Sequence, residues 1–269
     1  MVYRLIKVRE LVVRYKLSDE PAVKGVNAVF DGRCIILGPN GSGKTTLFKV
    51  ICGLINITSG EVWIDEAKVD EIYSQPGVLA ANFPEVYGLV DASVHEVLEL
   101  YSDLTGGSLS EAVGIAEELG LTRELMKRRR LRELSAGQLK SVCAALALAS
   151  GAKHVLLDEP FEQLDPAKKG RLIRRLSSYP GVVLLNTHET WLLKSLEDWT
   201  AYFMCEGRLY GPASVRDLLR SSVTPSDEPS AIMRIEAGGK VVSIVREEKG
   251  TPLTSIESLD RIYDMIGGG

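Results

Sequence analysis

Residues 38–45 read Gly-Pro-Asn-Gly-Ser-Gly-Lys-Thr, and no other stretch of the chain restricts its fold as tightly. Glycines at 38, 41 and 43 let the backbone curl so that its N–H groups face inward, the geometry that cradles phosphate. The run before it, Cys34, Ile35, Ile36 and Leu37, is continuously apolar and suits a strand buried on both faces. Residues 45–54 read as a helix, whose N-terminal partial charge adds to the attraction for an anion. In that strand–loop–helix setting Gly38, Pro39, Asn40, Gly41, Ser42 and Gly43 form the cradle. Lys44 can reach β- and γ-phosphates, the Thr45 hydroxyl can ligate Mg²⁺, and Thr46 follows in the first helical turn.

Around this loop the apolar pattern changes twice. Alternating residues at the start (Leu5, Ile6, Val8, Leu11, Val13, then Val26, Ala28, Phe30) predict short antiparallel strands. Residues 61–64 and 78–81 are further strand candidates. From Ala92 to about Ala149 the period turns helical: Val94, Val97, Leu98 and Tyr101 share a helix face, and residues 111–119 and 137–149 form further segments. Strands return at 155–157 and 182–185 with a helix at 166–178 between them. The pattern predicts a parallel-sheet α/β core carrying a mostly helical insertion at about 83–150. Residues 221–230, polar with two prolines, read as a linker, and 231–269 as a small appendage of one hairpin plus a helix at 256–266.

Two further segments bear on the phosphate loop. The apolar run ending at Leu157 is followed by Asp158 and Glu159, and in open α/β sheets the carboxyl ends of strands line the ligand crevice. There Asp158 can hold Mg²⁺ and Glu159 can polarise an attacking water. Leu134, Ser135, Ala136, Gly137 and Gln138 open the next upstream helix. A serine followed by glycine at a helix N-terminus is a second anion site, and a plain helix cap accounts for Ser135 alone.

With these segments in order, the sequence resembles the ATP-binding-cassette family over residues 2 to about 213. Residues 38–45 look like its Walker A, 155–159 its Walker B and 134–138 its signature motif, usually Leu-Ser-Gly-Gly-Gln. Phe161 to Asp165 looks like the D-loop, His188 like the switch histidine, and Tyr15 falls where the family keeps an aromatic that stacks on adenine. The resemblance implies a P-loop NTPase (RecA-like) fold over residues 1–215, with N-terminal antiparallel strands and a helical signature subdomain. It implies an ATPase with ATP and Mg²⁺ as cofactors and Glu159 and His188 as catalytic residues. It further implies a head-to-tail dimer, homo- or heteromeric, in which Ser135, Ala136, Gly137, Gln138 and Asp165 contact nucleotide held by the opposite subunit.

The sequence departs from the family pattern in places. Where the family places a glutamine contacting Mg²⁺, Asn82 stands, its amide one methylene shorter; Gln75 and Glu85 are alternatives. The signature carries Ala136 in place of glycine, and Ser141 and Leu146 stand where arginines are common. The basic run 127–132 reads as a solvated turn or helix face.

Composition limits the partners. A net charge of −4 argues against a polyanion binder, so direct nucleic-acid contact is not expected. No stretch approaches the roughly 20 apolar residues that span a bilayer. Membrane work therefore implies a separate transmembrane subunit, with this chain cytoplasmic and peripheral at the inner face. The four cysteines are not spaced as a zinc pair or redox motif and read as buried thiols. The expected function is the ATPase subunit of a transporter. The rival is a soluble assembly or repair ATPase of the iron–sulfur scaffold type.

Overall fold

The structure is a computed structural model and describes residues 4–72, 75–246 and 250–256. In chain order the first elements are β1 (Leu5–Val13), β2 (Val23–Asp31), β3 (Arg33–Leu37), α1 (Lys44–Ile51), β4 (Ser59–Ile64), β5 (Ala67–Lys68) and β6 (Leu79–Ala81). Then come α2 (Pro84–Tyr87), α3 (Val94–Thr105), α4 (Leu109–Glu118), α5 (Arg123–Arg128), α6 (Ala136–Ala149), β7 (His154–Asp158), α7 (Pro166–Ser178) and β8 (Val182–Thr187). The last elements among the described residues are β9 (Thr200–Cys205), β10 (Arg208–Ser214), α8 (Val215–Leu218), β11 (Ser222–Thr224), β12 (Met233–Ala237), β13 (Lys240–Val245) and β14 (Thr251–Pro252). The elements divide into two compact units, one built from Leu5–Lys68 and the chain from Asn186 onward, the other from Val69–Leu185.

In the first unit β1 pairs antiparallel with β2 and β4, giving the order β2-β1-β4-β5. Ile6, Val8, Leu11 and Val13 are buried while Lys7, Arg9 and Glu10 are exposed. The two successive exposed residues mark a register shift, where Glu10 takes a φ of 47°. β3 is buried from Cys34 to Leu37 and pairs in parallel with β9, which pairs antiparallel with β10. Its continuous apolar run is what a strand covered on both faces requires.

The C-terminal segment carries a strand that its composition does not announce. Residues 221–230 are not a plain linker: β11 pairs with β13 and β14, and Ser221, Ser222 and Val223 are buried. The sheet order is β12-β13-β11-β14, and the expected hairpin is β12–β13. Two serines, their hydroxyls small enough to bury, disguised the strand as polar chain. The sheet is held to the β9–β10 hairpin: the Tyr210 hydroxyl accepts from the Glu236 N–H and the Glu206 carboxylate accepts from the Gly238 N–H at 2.8 Å. The helix expected at 256–266 lies outside the described residues, apart from Ile256.

In the second unit the strand order is β8-β7-β6, with β6 and β7 parallel. The helices are capped as their sequences dictate. Ser93 and Glu96 form a capping box on α3, and Asp165 accepts from the Lys168 N–H with Pro166 in the first turn of α7. From Ser141 to Ala149, α6 is buried all round, as a helix with no polar face must be. Ser141 bonds the Gly137 carbonyl at 3.0 Å and Leu146 is buried, so neither position has room for a solvated arginine. The basic run 127–132 closes α5 and is solvated as expected, with Arg130 and Arg132 both paired to Asp91. Burial pushes the Cys34 and Cys143 thiols up to about 12; Cys52 is half-buried rather than buried.

Candidate nucleotide site

The phosphate loop lies in the first unit, between β3 and α1. Two of its glycines are dictated by neighbours. A Cβ on Gly38 would sit 2.2 Å from the Met204 carbonyl oxygen, and one on Gly43 would sit 2.4 Å from that of Ala22, at a φ of 105°. Gly43 is the N-cap of α1 and offers no side-chain cap, which leaves the first N–H groups of the helix to a ligand. The Lys44 side chain is 5% exposed and folds back over the loop, its Nζ donating to the Gly38 carbonyl at 2.7 Å and the Pro39 carbonyl at 3.0 Å. The buried Ser42 hydroxyl makes no hydrogen bond within the structure. A buried hydroxyl with no protein partner, in a loop that also buries an ammonium, fits the oxygens of an anion. Tyr15, half exposed, hydrogen-bonds the Thr46 hydroxyl at 3.1 Å, so its ring stands beside the first turn of α1.

His188 belongs to the same unit and follows β8. The segment after it is pinned: the Glu189 N–H donates to the Thr187 hydroxyl at 3.1 Å, and the Thr190 hydroxyl donates to the Ile256 carbonyl beyond β14.

The acidic pair and the signature segment lie in the second unit. Asp158 ends β7, and Glu159 takes a φ of 43°, a left-handed backbone that a non-glycine residue holds at a cost of about 1–3 kcal/mol. Ser135 is the N-cap of α6: its Oγ accepts from the Gln138 N–H at 3.3 Å, and Gln138 Oε1 accepts from the Ser135 N–H at 3.0 Å. The plain cap is therefore real. The exposed Ser135 hydroxyl still carries a proton to donate. Gly137 lies against Gln163, whose φ is 65°, in the segment leading to Asp165. The Asp165 carboxyl is held below the usual range first by the Lys168 N–H and then by the Lys168 ammonium, 3.1 Å away.

The Asn82 amide, expected as a metal contact, is instead buried and engaged with main chain: Oδ1 accepts from the Asp158 N–H at 2.7 Å and Nδ2 donates to the Asp158 carbonyl at 3.1 Å. Its shorter side chain ends at the neighbouring strand. Of the alternatives, Gln75 is exposed with its Nε2 on the Glu71 carbonyl, and Glu85 is exposed in the first turn of α2. Among the described residues no three His, Cys, Asp or Glu side chains group to hold a metal.

A family model described as ABC transporter matches residues 29–162. The energy-coupling factor transporter ATP-binding protein of Methanoculleus marisnigri is 30% identical over 233 residues, 80% of this chain and 80% of that protein. The chain belongs to the ABC transporter ATP-binding family. The molybdate/tungstate import ATP-binding protein of Thermococcus kodakarensis is 32% identical over 196 residues, 68% of this chain and 57% of that protein. Among solved structures, one described as a cobalt transport ATP-binding protein is 35% identical with a TM-score of 0.88, covering 97% of this chain and 100% of that one. A dimeric ATP-binding cassette with ADP and Pi is 24% identical with a TM-score of 0.67, over 78% of this chain and 99% of that one, and shares the fold. The ABC subunit is thus an ATP-binding ATPase with a mixed α/β P-loop fold. These relatives favour the transporter role over the iron–sulfur scaffold alternative.

Proposed function

We propose that this ABC subunit binds Mg-ATP and, by closing on a second cassette, drives a separate transmembrane partner. The observation that supports the reading is that α1 begins at an uncapped glycine behind the phosphate loop, while the capped start of α6 presents an exposed serine. An exposed second site is available to nucleotide held by another subunit, with Ser135, Ala136, Gly137 and Gln138 donating or lining and Asp165 nearby in sequence to Glu159.

Each remaining residue then has a task. The loop and Lys44 neutralise the β- and γ-phosphates, and Tyr15 stacks on the base. Thr45 and Asp158 are the oxygens that would hold Mg²⁺, which when bound supplies charge neutralisation on the phosphates. Glu159 accepts the proton of the attacking water, and His188 orients the γ-phosphate. Residues 1–215 are the cassette proper, and the C-terminal sheet is an addition to it.

A groove in the second unit lined by Pro84, Glu85, Gly88, Leu89, Leu131 and Leu139 is the surface we assign to the transmembrane partner. Leu89 is 87% exposed there, and Asp91 and Arg132 also line the groove, so an amphipathic helix end suits it. No helix among the described residues is long and apolar enough to cross a membrane, so attachment at the inner face would run through this groove. The molybdate/tungstate relative is an importer by name, which supports uptake as the direction of transport.

Glu159→Gln tests the mechanism. The change is nearly isosteric and removes the proton acceptor, so phosphate release should fall roughly 10²–10⁴-fold while ATP binding persists. Size-exclusion chromatography with ATP should then show a trapped dimer. Hydrolysis at the wild-type rate would place the base elsewhere.

A further inference from the structure

We propose that Asn82 is a positioning residue for the acidic end of β7: its side-chain amide replaces a missing strand rung and fixes the main chain at Asp158, from which Glu159 departs. The inference rests on the ATPase reading and adds a residue to it. β6 and β7 pair in parallel, Leu79, Ala80 and Ala81 lying opposite His154, Val155 and Leu156. The Asn82 N–H makes a last main-chain bond, to the Leu156 carbonyl at 3.2 Å. There β6 stops, because Pro84 opens α2. The Asp158 peptide has outrun its partner strand.

The Asn82 side chain fills the gap. A carboxamide carries the donor and acceptor of a peptide group in one plane, and it uses both: Oδ1 takes the Asp158 N–H at 2.7 Å and Nδ2 gives to the Asp158 carbonyl at 3.1 Å. Glutamine carries the same group one methylene further out and would overshoot the peptide. Asn82 is 4% exposed, so water does not substitute for either bond. The residue gripped is the one immediately before Glu159, whose left-handed backbone persists only where its surroundings fix it. Holding Asp158 at both N–H and carbonyl fixes where Glu159 starts, and so where its carboxylate can point. The tighter of the two bonds aims the amide oxygen at main chain, which distinguishes this role from that of a metal ligand.

Hydrogen exchange on the full-length chain reads the clamp directly. In the wild type the Asp158 amide should exchange as slowly as that of Leu156 within β7. Asn82→Ala and Asn82→Gln should each speed it by about tenfold or more. In steady-state ATPase assays both variants should lose kcat by roughly 10–100-fold, the usual effect of removing a group that orients a site residue. KM for ATP should stay within about threefold, and the half-saturating Mg²⁺ concentration should not move. Three results would overturn the proposal. One is an Asn82→Gln variant with wild-type kcat. Another is an activity loss cured by excess Mg²⁺, the behaviour of a metal ligand. The third needs no variant to fold: a wild-type Asp158 amide that exchanges as fast as loop amides. If the wild type itself hydrolyses no ATP, the ATPase reading fails and the exchange data still judge the clamp.

Discussion

Lys44→Ala removes the best-defended charge in the phosphate loop. Its ammonium donates to two loop carbonyls, at 2.7 and 3.0 Å. Hydrogen bonds to a charged group contribute about 1.5–3 kcal/mol each. Against that stands the several kcal/mol it costs to desolvate an ammonium that is 5% exposed. The two terms oppose each other, so folding stability should change by no more than about 2 kcal/mol. In a chain of this size that moves Tm by about 4–8 °C at most. Nucleotide binding has no such offset. The ammonium must leave two neutral carbonyls for the anionic β- and γ-oxygens, and the net loss on its removal is about 2–3 kcal/mol, or about 30–150-fold in Kd for ATP. AMP lacks those oxygens and should bind the variant and wild type alike. Isothermal titration with ATP and AMP, beside a thermal melt, measures all three. A folded variant with an ATP Kd within about twofold of wild type would refute the placement of Lys44 on the phosphates.

Ser135→Arg places a long cation at the exposed end of α6; the variant should still bind ATP as a monomer, yet lose turnover and ATP-dependent dimerisation, and unchanged turnover would remove the signature segment from the nucleotide. The Glu118 carboxyl is held below the usual range first by hydrogen bonds from Arg175. Its stabilising contribution is therefore present above the unfolded carboxylate pKa and lost as pH falls through the lower folded value. Because both side chains are more than a third exposed, Glu118→Gln should cost under about 1 kcal/mol at pH 7 and nothing once the carboxyl is protonated in acid, as urea melts across pH would show.

The parts of this chain that were legible in its sequence are those whose signals are local. α7 is legible at both of its ends because Asp165 and Pro166 announce its start and an amphipathic stripe carries through to Ser178. β3 and α1 followed from the glycine loop between them. β9 and β10 carry no such local signal. The first is buried throughout from Ala201 and has no alternation, while the second carries Gly211 and Pro212, which look like a break. β11 hid behind its serines for the same reason: its burial depends on β13, far along the chain. Asn82 shows the same limit within the site. Its residue type and place after a strand were visible, but what its amide would meet depends on the register of β6 against β7, which no local pattern encodes.

The long-range pairing of β3 has a consequence for synthesis. Cys34 to Leu37 emerge well before the strand they pair with inside their own unit, Thr200 to Phe203, which follows about 165 residues later. At about 5–20 residues per second the ribosome leaves Ile35, Ile36 and Leu37 without that partner for on the order of ten seconds or more. Through that interval a glycine loop built to grip phosphate sits on an unfinished, strongly apolar edge, the kind of segment that recruits other chains. The nascent chain therefore acquires its nucleotide loop long before the strand that steadies it, and a ribosome stalled between the two would release a product prone to aggregate.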